Sequence, residues 1–372
     1  MTLAALCVLA GCRRKSFTYP SGFHEFAYVT NGKSDSVSVL DLTTFRSLKT
    51  LKVGRQPTGA AISLTKNEVY VVNTESNNVS VIDVEKNEVV ATIGVHRAPY
   101  YISVSQDGAR GYVANSGSAN VSVLDLPTRR SIAVIRVGAS PGLARVSPDG
   151  KVVVVSNRGD DTVSIIDGSK LTVRKTLAVC KQPEDIAILP DSSKAFVACT
   201  GSAQVAAIDL KSDQVLTLLQ VGKTPIHLAM KPDGGEIFVC NYDSSSISVV
   251  ETSANEVGQT FLIGTNPVRA VVSADNNTLY VSNAGSNSVS VYAIDIGRVV
   301  DTMMAGARPD SLALTGNQKF LAAANTVSDD VSVMRLQRLV STGPKSRDRE
   351  IVNMLQVGGS PNDLVIKAFT TK

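Results

Sequence analysis

A four-residue pattern ending in asparagine returns every 42 residues along this chain, and that period restricts the fold more than any other feature. It runs Tyr28-Val29-Thr30-Asn31, Tyr70-Val71-Val72-Asn73, Tyr112-Val113-Ala114-Asn115 and Val154-Val155-Ser156-Asn157. It continues through Phe196-Val197-Ala198-Cys199, Phe238-Val239-Cys240-Asn241, Tyr280-Val281-Ser282-Asn283 and Ala322-Ala323-Ala324-Asn325. Three further segments keep the same register. An alternating run follows each asparagine position, as in Val37-Ser38-Val39, Val121-Ser122-Val123 and Val331-Ser332-Val333. A β-branched stretch comes next, as in Leu51-Lys52-Val53-Gly54, and then a proline: Pro57, Pro99, Pro141, Pro183, Pro225, Pro267, Pro309 and Pro361.

Each repeat therefore reads as four short strands separated by Gly, Pro, Asp and Asn turns, and no stretch sustains a helical period. Four strands in about forty residues, repeated around a ring, is the pattern of a β-propeller. The first repeat lacks a proline-led strand of its own, whereas the chain ends on one, Pro361 through Leu364-Val365-Ile366 to Phe369. The C-terminal strand is expected to pair into the N-terminal blade and close an all-β ring of eight four-stranded blades, leaving no open seam. The last proline interval is longer than the others, with the polar run Ser341 to Glu350 as the insert. The turns at Asp107-Gly108, Asp149-Gly150 and Asp233-Gly234 require the positive φ that glycine supplies; they are read as turns rather than calcium ligands. The repeated asparagine is expected to tie down its hairpin through the side chain.

Tyr-Val-x-Asn, followed by Val-Ser-Val-Ile/Leu-Asp (Val79 to Asp83, Val121 to Asp125) and Val-Gly-x-x-Pro, resembles the YVTN-repeat propeller family. That resemblance spans about residue 26 to the C-terminus. It implies a bacterial periplasmic or surface protein, or a surface-layer-like one. Members of that family often have seven blades, which is the alternative here, but seven would leave a whole repeat outside the ring. The motif residues are scaffold, so the resemblance speaks to fold more than to function.

The N-terminal apolar run Thr2 to Gly11 is too short to span a bilayer. It ends in Leu9-Ala10-Gly11-Cys12 before Arg13-Arg14-Lys15, which resembles the lipobox of bacterial lipoproteins, although no basic segment precedes the run. The domain reading is a lipoprotein-type signal peptide over 1–11, an anchor linker over 12–24 and the propeller over 25–372. Cys12 is the expected lipidation site. The protein is then expected to be a membrane-anchored lipoprotein outside the cytoplasm, in the periplasm or at the cell surface, acting as a monomer. The five cysteines, Cys7, Cys12, Cys180, Cys199 and Cys240, form no C-x-x-C pair and have no metal-ligand spacing with the three histidines, so no metal site is expected. Cys199 and Cys240 fall in neighbouring blades. Packed sheets stand about 10 Å apart, farther than the roughly 7 Å between Cα atoms that a disulfide spans. Free buried thiols are expected there.

Because strands alternate in direction, the proline loops and the loops after the asparagines share one face. Around the proline loops stand Arg55, Arg97, Lys181, Lys223 and Arg308, a basic collar. Two residues after the prolines stand Tyr101, Asp185, His227, Arg269 and Asp363, which are expected at the mouth of a central channel. The formal net charge of +4 is mild and excludes no partner class. No nucleophile, base and orienting group can be assembled, and histidines are too sparse for a haem or quinone site, so neither catalysis nor a cofactor is expected. Arg158-Gly159-Asp160 is set aside as a chance adhesion tripeptide. The expected function is a non-enzymatic binding module of the cell envelope, presenting its loops to an envelope protein or polymer. One alternative is a small-molecule enzyme or metabolite-binding protein using the channel mouth. Another is binding of an anionic polymer, including single-stranded nucleic acid, to the collar; aromatics at 5% with no Trp weigh against a base-stacking groove.

Overall fold

A computed structural model describes residues 19–336 and 351–371. Those residues form thirty-two strands, β1 to β32 in chain order, arranged as eight four-stranded antiparallel sheets. The proline-led strands are β4 (Pro57–Ile62), β8 (Pro99–Val104), β12 (Pro141–Val146), β16 (Pro183–Ile188), β20 (Pro225–Met230), β24 (Pro267–Val272), β28 (Pro309–Leu314) and β32 (Pro361–Thr370). They touch one another from blade to blade and line the axis. Proline suits the first position of such a strand because it brings no N–H that the ladder would have to satisfy. On the far face, Gly108, Gly150 and Gly234 hold φ of 68°, 72° and 76°, as the turn reading requires.

Ring closure follows the expected route. β32 pairs antiparallel with β1 (Phe23–Asn31), with Tyr28 opposite Val365 and Val29 opposite Leu364. The blade is completed by β2 (Ser36–Asp41) and β3 (Arg46–Lys52). The polar run Ser341 to Glu350 lies outside the described residues, as do Cys12 and the segment around it.

Period-two alternation sends successive side chains to opposite faces of each blade, and both faces are buried against neighbours. Tyr28, Val37 and Val39 pack against Ala60, Val69 and Val71 of the second blade. Ala27, Val29 and Leu40 pack against Phe320, Ala322 and Val331 of the eighth. The core is thus a set of eight apolar seams between blades.

The repeated asparagine does bind its hairpin, by reaching across it. Asn283 Nδ2 donates to Ser288 Oγ at 3.4 Å and Ser290 Oγ at 2.9 Å. Asn31, Asn73, Asn115, Asn157, Asn241 and Asn325 make the matching pairs of bonds five and seven residues on. The glycine of each Val-Gly-x-x-Pro loop lies on this side chain. A Cβ at Gly264 would come within 2.3 Å of Asn283 Cγ, and one at Gly54 within 2.7 Å of Asn73 Cγ.

The expectation of free thiols holds for Cys240 but fails for Cys199, which is disulfide-bonded to Cys180 across a Cα–Cα distance of 5.6 Å. The physical reason is this same contact. Cys180 occupies the glycine register and Cys199 the asparagine register of one blade, so the bridge joins a loop to the strand beneath it and never has to cross between sheets. The Oγ acceptor seven residues on is also gone, since Ala206 stands where the other blades carry serine.

Candidate functional site

All five residues expected at the channel mouth converge on one cavity of about 540 Å³ at the axis. Tyr101, Asp185, His227, Arg269 and Asp363 line it, each standing two residues after its strand's proline. Tyr100, Leu143, Arg145, Glu184, Ile226 and Val268 complete most of its wall.

The two aspartates are built into the scaffold. Asp185 Oδ2 accepts the Leu228 N–H of the next inner strand at 3.0 Å, and Oδ1 accepts the Ile186 N–H at 2.9 Å. Asp363, on the opposite side of the ring, repeats the arrangement. Its Oδ2 accepts the Ala60 N–H at 3.0 Å, and its Oδ1 accepts the Leu364 N–H at 3.0 Å and the Ser311 hydroxyl at 3.2 Å. Each carboxylate therefore latches one blade to the next at the rim of the channel.

His227 adds a second tie. Its Nδ1 lies 2.7 Å from Asp185 Oδ2, and its Nε2 lies 3.1 Å from the Ala270 carbonyl, which fixes the ring plane between two acceptors. Burial on its own would raise the Asp185 carboxyl. The His227 hydrogen bond and charge, the Arg145 guanidinium and the Leu228 N–H outweigh it and hold the group well below the usual carboxylate range. Glu184 moves the other way: burial pushes its carboxyl up, and the facing Arg158 only partly offsets this. Burial and the Glu184 charge also raise the Tyr100 phenol.

The guanidiniums are held more loosely. Arg145 lies 3.4 Å from Asp185 and 5.5 Å from the centre of the Tyr101 ring. Arg269 reaches Asp363 only at 4.0 Å. Their side chains are 33% and 35% exposed, while their carboxylate partners are 8% and 11% exposed, so it is the cations that face the cavity.

The collar does not join this site. Arg55, Arg97, Lys181, Lys223 and Arg308 are exposed around the loop face and line no part of the cavity. Among the described residues Arg308 pairs with Asp310 at 3.4 Å, and the other four form no ion pair. Arg158, read above as part of a chance tripeptide, has a structural place. It pairs with Glu184 at 3.2 Å and covers the Tyr100 ring at 4.6 Å, two residues that line the cavity. Asp160 of the same tripeptide accepts the Ala139 N–H.

Arg145 is the main residue that the sequence reading missed. It stands four residues after Pro141, so the alternation that selects position two also selects it, one step deeper.

The eight four-stranded blades, with a cavity where their inner strands converge, define the chain as an eight-bladed β-propeller. The chain belongs to the YNCE-like β-propeller family, whose model matches residues 15–147 and 145–348. No curated protein matches the sequence significantly. Among solved structures it is similar to Kuenenia stuttgartiensis hydrazine synthase, at 22% identity and a TM-score of 0.61, covering 75% of this chain and 95% of that one. It is also similar to the dihydro-heme d1 dehydrogenase NirN in complex with DHE, at 15% identity and a TM-score of 0.76, covering 91% of this chain and 74% of that one. At such identities the likeness is one of fold.

Proposed function

We propose that this protein is a non-enzymatic binding module of the cell envelope, and that its ligand seat is the channel mouth. The observation that carries this reading is the axial cavity of about 540 Å³, to which inner strands of most blades contribute a side chain. Cavities of this size, with apolar walls and a few oriented polar groups, are where small molecules bind. NirN is a propeller of similar fold in complex with a ligand, so its ligand class belongs among the probes.

Placement in the envelope rests on two independent features. Leu9-Ala10-Gly11-Cys12 has the form of a lipidation signal. The Cys180–Cys199 disulfide suits an oxidising compartment.

A thermal-shift screen of wild-type and His227→Ala protein against metabolites, haem-like compounds and an anionic polymer tests the reading. A compound that binds the folded state raises the melting temperature by mass action. A shift present in wild type and lost in His227→Ala supports the channel mouth. A shift of equal size in both would move the ligand to the outer loops. The exposed collar favours a second reading, an anionic polymer on the loop face, which requires affinity that falls steeply with salt.

A further inference from the structure

The formal charges around the cavity nearly balance, but its unused hydrogen-bonding capacity does not. Both oxygens of Asp185 and both of Asp363 already accept backbone N–H groups, and His227 has an acceptor at each ring nitrogen. Glu184 is taken up by Arg158. A guanidinium carries five N–H donors in a fixed fork. Arg145 spends part of that fork on Asp185 at 3.4 Å and on Tyr101, and Arg269 reaches Asp363 at 4.0 Å. The two cations also repel each other across the channel. What the cavity offers a ligand is therefore donors from two staggered guanidiniums, with Leu143, Ile226, Val268 and the Tyr100 and Tyr101 rings as apolar walls.

Resting on the channel-mouth reading above, we propose that the ligand is a small organic anion whose carboxylate is gripped by Arg145 and Arg269 and whose apolar or aromatic body packs on the apolar walls of the cavity. The planar fork of arginine matches a carboxylate in two parallel hydrogen bonds, which a lysine in its place would not supply. A bare inorganic anion would satisfy the cations and leave the apolar walls uncovered. A cationic ligand would meet carboxylates whose oxygens already accept backbone N–H groups or, at Glu184, the Arg158 guanidinium, and would face two cations.

Titration calorimetry on the full chain with benzoate, phthalate, benzamide, benzylamine and inorganic phosphate tests the proposal. Benzoate and phthalate are expected to bind saturably, at least tenfold more tightly than benzamide, benzylamine or phosphate. Arg269→Met is expected to weaken benzoate at least tenfold, with Arg269→Lys falling between it and wild type. The unliganded melting temperature of each variant separates lost binding from lost folding. Benzamide or benzylamine binding as tightly as benzoate would overturn the anion assignment while leaving the channel-mouth reading intact. Tighter binding of phosphate than of benzoate would overturn the organic carboxylate in favour of a simple anion. Absence of binding by every probe would also overturn it, and the metabolite screen above judges the pocket separately.

Discussion

At the scale of single residues, the channel mouth shows one side-chain type serving two masters. Asp185 holds the next inner strand through Leu228 N–H and orients His227 through the same oxygen. Replacing it by asparagine removes the charge that His227 and Arg145 face and leaves fewer acceptors for buried donors. The expected cost is about 1–3 kcal/mol of stability, measured by urea unfolding at neutral pH. The pH dependence has a definite sign. Because the folded carboxyl titrates lower than the unfolded one, the stability it contributes is complete above the ordinary aspartate range near about 3.9, and is lost as pH falls toward the folded value. Asp185→Asn is therefore expected to flatten the acid limb of the stability curve below about pH 4. An unchanged limb would show that Asp185 is not depressed. The five mouth residues were legible in the sequence because a fixed offset from the recurring proline puts them at the same place on successive inner strands, which converge at the axis. Arg145 was not found because only one offset was read, and the pairing of Arg158 with Glu184 was hidden because it crosses from a loop of one blade to the inner strand of the next.

At the scale of elements, six of the eight blades fasten a hairpin with one asparagine lying under one glycine, and the third keeps the asparagine under His96. Asn283→Ala removes two buried hydrogen bonds and leaves Ser288 and Ser290 short of a donor, for an expected loss of about 1–3 kcal/mol by urea denaturation. The fifth blade replaces this device with the Cys180–Cys199 bridge, which closes a separation of 19 residues. Reduction is expected to destabilise the fold by about 2–4 kcal/mol, read as a lower unfolding midpoint in dithiothreitol. A midpoint unmoved by the reductant would mean that the bridge is not formed. Cys199→Asn alone should not restore the original fastening, because a residue at 180 larger than glycine would press on the amide and Ala206 offers it no acceptor. The strand pattern was readable because turns and alternation are local. The bridge was missed because the contact between glycine and asparagine registers is made in space, 19 residues apart, and its signal is two cysteines landing on the two halves of one recurring pair.

At the scale of the whole molecule, stability depends on closure. Ala27, Val29 and Leu40 are buried only because the eighth blade covers them, and β32 supplies the inner edge of the first blade. Deleting residues 361–372 would uncover both a seam and the unpaired edge of β1 at once. The truncated chain is expected to lose cooperative thermal unfolding and to be cut rapidly by protease, whereas trimming before residue 19 should leave the melting transition in place. Closure was legible from the two ends of the sequence, since one end lacks the strand that the other has to spare. The ligand was not, because inner-strand chemistry belongs to individual blades and the repeat carries no record of it.

On this reading the axis, and not the outer collar, receives the ligand. Phenylglyoxal modification followed by peptide mass spectrometry measures the reactivity of Arg145 and Arg269 alongside Arg55 and Arg97 in a single sample. With benzoate at saturation, Arg145 and Arg269 are expected to be modified at least several-fold more slowly, while Arg55 and Arg97 react at their original rates. Protection confined to Arg55 and Arg97, or no protection at any of the four, would contradict the account.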